Sequence, residues 1–203
     1  MKLIMGITAI LLPLLSRCQQ PLTIGDTVPN VPPFAVINYS KPVASLSSIK
    51  GKLVLLDFMN TYCSSCIEAL PAFDSLQHRY AGRVQVFMVT NERRERAAHF
   101  MKTNPVAKTI SLPFIVADSV LKKLFPHAFV SHEVWIYDGV VKAITAADYV
   151  TDENIRTILS GKTPGWEVKT DVAGYDFDAP LLTLNDNTRK YVTGKNSYGA
   201  VCT

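Results

Sequence analysis

At 203 residues, with 48% hydrophobic and 19% charged residues, the chain lies in the ordinary globular range. It can bury one sizeable core but hardly two full domains. The net charge of +4 is mild, and without Lys2 and Arg17 only 19 basic residues face 17 acidic ones. Phosphate binding needs clustered cations, so this balance excludes a nucleic-acid partner. Four cysteines are too few for a disulfide scaffold at this length.

The N-terminus reads as an address. Lys2 precedes an apolar run from Leu3 to Leu15, interrupted by Gly6 and Pro13. A spanning helix needs roughly 20 apolar residues, whereas a positive start and a short apolar stretch suit a secretory signal. The run ends in Leu15-Ser16-Arg17-Cys18, which resembles a bacterial lipobox; Arg17 departs from the small residue usual there. Residues 1–18 are therefore expected to be a signal peptide or lipoprotein anchor that takes the chain to the periplasm or cell envelope of a bacterium. Cys18 is either the lipidated residue or an incidental thiol of an uncleaved anchor.

From Gln19 to Lys52 the chain is rich in Pro, Ser and turn residues, which predicts a linker and a short strand-and-turn prelude ending at Gly51. Leu53 to Phe58 is apolar apart from Asp57, as in a strand buried on both faces. Between Ser64 and Tyr80, Ile67, Leu70, Phe73 and Leu76 recur at helical spacing. Val84–Val89 reads as a second buried strand, Arg93–Met101 as a helix, Phe114–Val116 as a strand and Ser119–Leu124 as a short helix. Val134–Tyr137 and Val140–Ile144 flank Asp138-Gly139, a strong hairpin signal. Thr151 is placed to cap a last helix, with Asp152 and Glu153 in its first turn and Gly161 at its end. This alternation predicts an α/β domain over 19–161, with a central mixed sheet and helices on both faces. Residues 162–203 break the rhythm and form a tail of unknown role, either packed on the core or the start of a longer region.

The chemistry sits at Cys63-Ser64-Ser65-Cys66, a C-x-x-C after a buried strand and at the start of an amphipathic helix. Free N–H groups and the macrodipole at a helix N-terminus stabilise a thiolate, so Cys63 is the expected attacking sulfur. Cys66, one turn into the helix, is placed to resolve a mixed disulfide. Half of a zinc site is the competing reading, but structural zinc usually takes two such pairs and the chain has one. Asp57, alone in an apolar strand, should have a raised pKa suited to proton transfer near neutrality; a strand-end acid reaching solvent is the alternative.

Asp57-Phe58 ahead of Cys63, with Pro71 five residues after Cys66, resembles thioredoxin. Gly25-Asp26, Pro29 and Gly51-Lys52 are more similar to the exported TlpA and ResA branch of the thioredoxin superfamily. The resemblance runs from Leu22 to about Gly161. It implies a thioredoxin-like fold and thiol–disulfide exchange on envelope proteins, with disulfide reduction the favoured direction. It implies roles for Cys63 and Cys66 as the redox-active pair, for Asp57 as the proton carrier of Cys66, and for Tyr62, Ser131 and His132 in substrate binding. Protein thiols and disulfides are the implied substrates, electrons come from an unidentified donor, and no cofactor is needed. Tyr62 stands where the branch usually has Trp.

Two departures matter more. The family's cis-proline, in the loop that holds substrate cysteines, falls at Ser131. A cis bond before serine costs roughly 3 kcal/mol more than before proline, so a trans or a strained Val130–Ser131 bond is expected. His132 supplies a rival: two thiolates and an imidazole suit Cu(I), and proteins of the Sco family carry copper on this fold. Their cysteines, however, are spaced C-x-x-x-C. A non-catalytic binding module is a further alternative. Peroxiredoxins carry Thr three residues before the reactive cysteine, where this chain has Asn60. The run Arg93 to Arg96 reads as a solvated helix face.

Overall fold

The computed structural model describes residues 20–169 and residue 171. The expectations for residues 1–18, for Cys18 and for most of the tail lie outside the described residues. Seven strands form one mixed sheet: β1 (Phe34–Ile37), β2 (Val43–Ala44), β3 (Leu53–Phe58), β4 (Val84–Val89), β5 (Phe114–Ile115), β6 (His132–Tyr137) and β7 (Val140–Thr145). Four α-helices accompany them: α1 (Ser64–Arg79), α2 (Arg94–Thr103), α3 (Leu121–Leu124) and α4 (Asp152–Leu159). The strand order is β2-β1-β5-β4-β3-β6-β7. β3 runs parallel to β4 and antiparallel to β6, so it has a ladder on both edges. All six of its residues are buried, which is why its sequence is continuous in apolar residues rather than alternating.

Alternation decides which face each strand residue meets. Leu53, Leu55 and Met59 join one cluster with Cys63, Cys66, Leu70, Phe73, Trp135, Ile155 and Ile158, the layer beneath α1 and α4. Val54, Leu56 and Phe58 join the opposite cluster with Leu121, Leu124, Phe125, Val134 and Ile136. The helices therefore cover both faces, as the alternating pattern predicts.

Local chemistry fixes several boundaries. Asp138 and Gly139 both take positive φ, at 52° and 75°, as the tight hairpin between β6 and β7 requires. Thr151 accepts from Asn154 N–H at 3.2 Å and caps α4, while Gly161, at φ 79°, ends it. The prelude contributes β1 and β2, with β1 antiparallel to β5 at the far side of the sheet. Its earlier part runs along the opposite edge, where Gly25 N–H and Val28 N–H donate to Val141 and Gly139 carbonyls. Beyond α4, Trp166 packs its ring against Trp135 and Tyr149, and Lys169 N–H donates to the Ile144 carbonyl. The first residues after α4 thus lie on the core. No helix among the described residues is long and apolar enough to cross a membrane.

Candidate active site

β3 delivers the chain to the sheet's end, and residues 59–63 turn it into α1. Cys63 is the N-cap of α1: its Sγ accepts from Cys66 N–H at 3.3 Å, and its carbonyl accepts from Ile67 N–H. The two cysteines are joined as a disulfide, with Cα atoms 5.4 Å apart. A three-residue separation at a helix start brings the sulfurs together because one helical turn has nearly that period. Ser65 Oγ lies 3.4 Å from Cys63 Sγ and can donate to it.

Both cysteines are enclosed, Cys63 at 1% and Cys66 at 0% exposure. The burial of Cys63 was not legible in the sequence. Tyr62, 61% exposed, marks the surface beside it. The loop bearing Tyr62 is held by Glu92, which accepts from Thr61 N–H at 3.0 Å and from Thr61 Oγ1 at 2.9 Å. Arg96 pairs with Glu92 at 2.7 Å and lies 5.7 Å from the centre of the Tyr62 ring. This part of the expected solvated run therefore braces the site. A cleft of about 200 Å³ opens next to Tyr62, with Asn60, Asn91, Lys122 and His127 among its walls.

Asp57 is fully buried, so the alternative of a solvent-reaching acid does not hold. Neither of its carboxyl oxygens has a hydrogen-bond partner, and burial raises its pKa to about 7. Glu133, which the sequence reading passed over, is its direct partner across β3 and β6 and is equally buried. Burial, followed by the Asp57 charge, pushes the Glu133 carboxyl well above the usual range. Ser131 Oγ donates to Glu133 Oε1.

The Val130–Ser131 peptide is cis. The trans bond expected here as one alternative therefore does not occur. Ser131 is itself partly exposed, with its hydroxyl engaged by Glu133. His132 turns inward: it is 4% exposed, and its ring stacks on His127 at 4.6 Å and meets Phe58 edge-on at 5.7 Å. Phe58 and Cys66 belong to opposite faces of the sheet, so His132 does not join the cysteines. Burial first, then Lys169 and His127, lowers the His132 pKa to about 3. Among the described residues, no three His, Cys, Asp or Glu side chains gather where they could hold a metal ion.

The cis loop is braced from the tail. Lys169 Nζ donates to the Phe129 carbonyl at 3.0 Å and to Asp171 Oδ1 at 2.7 Å. Asp171 in turn accepts from Ala128 and Phe129 N–H.

Residues 24–121 match the AhpC/TSA family. The chain is 29% identical over 85 residues to the thioredoxin-like protein YneN of Bacillus subtilis, covering 42% of this chain and spanning half of that relative's length. The fold is similar to a Chlorobium tepidum structure described as a thiol:disulfide interchange protein DsbE, with a TM-score of 0.57 and 21% identity over 68% of this chain and 98% of that one. It is also similar to a 2-Cys peroxiredoxin of Plasmodium vivax, with a TM-score of 0.55 and 20% identity over 68% and 94%. The fold is thioredoxin-like, and it carries its C-x-x-C at the N-terminus of the helix that follows β3.

Proposed function

We propose that this chain performs thiol–disulfide exchange on proteins of the bacterial cell envelope, reducing their disulfides. The observation that supports it most directly is the Cys63–Cys66 disulfide at the start of α1, on the sheet face that also bears a buried acid. The envelope location follows from the signal-like residues 1–18, with lipidation of Cys18 as its anchored form.

In the reduced chain the Cys63 thiolate attacks one sulfur of a substrate disulfide, and the departing substrate thiolate takes up a proton. Cys66 then passes its proton to Asp57, and its thiolate attacks Cys63. The intramolecular disulfide forms, and the second substrate thiolate leaves and is protonated. Two electrons have moved from protein to substrate, one of the two protons taken up comes from Cys66 by way of Asp57 and the other from solvent, and a separate dithiol donor restores the starting state. Tyr62 and the cis loop at Val130–Ser131 frame the approach to Cys63, and His132 serves this loop from below rather than by touching substrate.

Equilibrating the chain in glutathione buffers, with alkylation and mass spectrometry, should show a reversible two-electron Cys63–Cys66 couple. A potential near the thioredoxin value of about −270 mV supports reduction, and one near −120 mV would reverse the direction. No couple would overturn the exchange reading.

Asp57→Asn is expected to slow exchange near neutral pH about a hundredfold, the low end of general acid–base contributions. It should also erase the inflection near pH 7 from the rate profile. Stability should move the other way. A carboxyl raised from 3.8 to about 7 favours the folded state fully below about pH 4, and this advantage is lost as pH rises through about 7. Asp57→Asn should therefore be more stable than the parent above pH 7 by chemical denaturation, and a less stable variant would contradict the buried-acid assignment.

A further inference from the structure

Asp57 does not stand alone. It faces Glu133 in register across the antiparallel β3–β6 pair, and both residues are wholly buried. Alternation puts both on the α1 side of the sheet. Leu55 and Met59, which flank Asp57 by two residues, and Trp135, two beyond Glu133, all belong to the cluster that holds Cys63 and Cys66. Both Asp57 oxygens and Glu133 Oε2 lack hydrogen-bond partners, whereas Glu133 Oε1 accepts from Ser131 Oγ. Two adjacent acids with no solvent and little compensating charge cannot both ionise cheaply near neutrality.

We infer that Glu133 is a positioning residue for proton transfer: it keeps the one proton of the carboxyl pair and so leaves Asp57 as the ionised acceptor beside the dithiol, and Ser131 ties this pair to the substrate-facing loop. The inference rests on the exchange chemistry proposed above. During resolution Cys66 gives its proton to the ionised Asp57, while Glu133 keeps its own, so the pair passes from one proton to two without burying two negative charges. When the proton leaves for the departing substrate thiolate or solvent, the pair returns to one. The charged groups acting on Glu133 are Asp57 from β3, Asp148 from the segment after β7 and Lys169 from the segment after α4. The first two raise its pKa, whereas Lys169 and the Ser131 hydroxyl lower it. The cysteines do not titrate while they are joined.

The pair is testable in the oxidised full chain by carboxyl NMR with labelled Asp and Glu, read across pH for the parent, Glu133→Gln and Ser131→Ala. The parent should keep Glu133 protonated at pH 7, and Asp57 should titrate in two linked steps. Glu133→Gln should collapse the Asp57 curve to one step and remove the high-pH limb of the exchange rate profile. Ser131→Ala should shift the Glu133 midpoint upward. An ionised Glu133 at pH 7, an Asp57 curve unchanged in Glu133→Gln, or a Glu133 midpoint unmoved in Ser131→Ala would overturn the inference. If Glu133→Gln does not fold, the parent and Ser131→Ala curves decide alone. The titration needs no turnover, so a chain lacking a reversible redox couple would sink the exchange reading while these curves still judge the pair.

Discussion

Cys63→Ser is expected to bring dithiol-driven disulfide turnover down to the uncatalysed rate, whereas Cys66→Ser should still attack once and stop as a mixed disulfide. The asymmetry follows from position. Cys63 is the N-cap of a 16-residue helix, where free N–H groups and the macrodipole favour an anionic sulfur. Cys66 N–H donates to Cys63 Sγ and supports the same charge. Cys66 is inside the first turn, completely buried and set among apolar side chains, where an isolated thiolate is costly. A serine hydroxyl at position 63 can neither ionise near neutrality nor form the covalent intermediate. Mass spectrometry of Cys66→Ser incubated with a disulfide peptide should find one adduct, on Cys63. An adduct on Cys66 in the Cys63→Ser chain, or turnover retained there, would reverse the assignment of attacker and resolver. Because Cys63 is itself only 1% exposed, the attack also requires the rim around Tyr62 to yield as substrate approaches.

Trp135→Ala should cause the largest loss of stability, about 3–5 kcal/mol. The indole is wholly buried in the layer beneath α1 and α4, and its ring meets Trp166 at 5.3 Å between centroids. Its Nε1–H donates to Thr145 Oγ1 at 2.9 Å, so truncation also leaves a buried hydroxyl without its partner. For a domain of this size each kcal/mol moves Tm by roughly 2–4 °C, which gives a drop on the order of 10 °C. Val43→Ala, at a half-exposed position in the two-residue strand β2, is the control and should change stability by less than about 0.5 kcal/mol. Thermal unfolding of the two variants checks the contrast. Similar midpoints would mean that the Trp135 layer collapses around the cavity.

The junction of β3, Cys63-Ser-Ser-Cys66 and α1 could be read without a structure because its determinants are local. An apolar run, a cap and a helical repeat depend on neighbours within a few residues, and so do the Asp138-Gly139 hairpin and the Thr151 cap. The burial of Asp57 was legible for the same reason, since every residue around it in β3 is apolar. β1 and β2 were seen only as a prelude. They are four and two residues long, and what makes β1 a strand is its pairing with β5, not its own sequence.

The sequence by itself therefore determined the element order from β3 onward, the dithiol and its place at a helix N-terminus, because hydrogen bonding and periodicity act within single elements. Only the tertiary structure decided the rest of the site. Which residue faces Asp57 depends on the register between β3 and β6, and a shift of one residue would have put His132 or Val134 there instead of Glu133. The same alternation turns His132 toward Phe58 and away from the cysteines. The enclosure of Cys63 and the brace of the cis loop by Lys169 and Asp171 likewise come from segments far apart in the chain. Burial and charge proximity are properties of packed neighbours, so a linear reading could find the acid but not its partner.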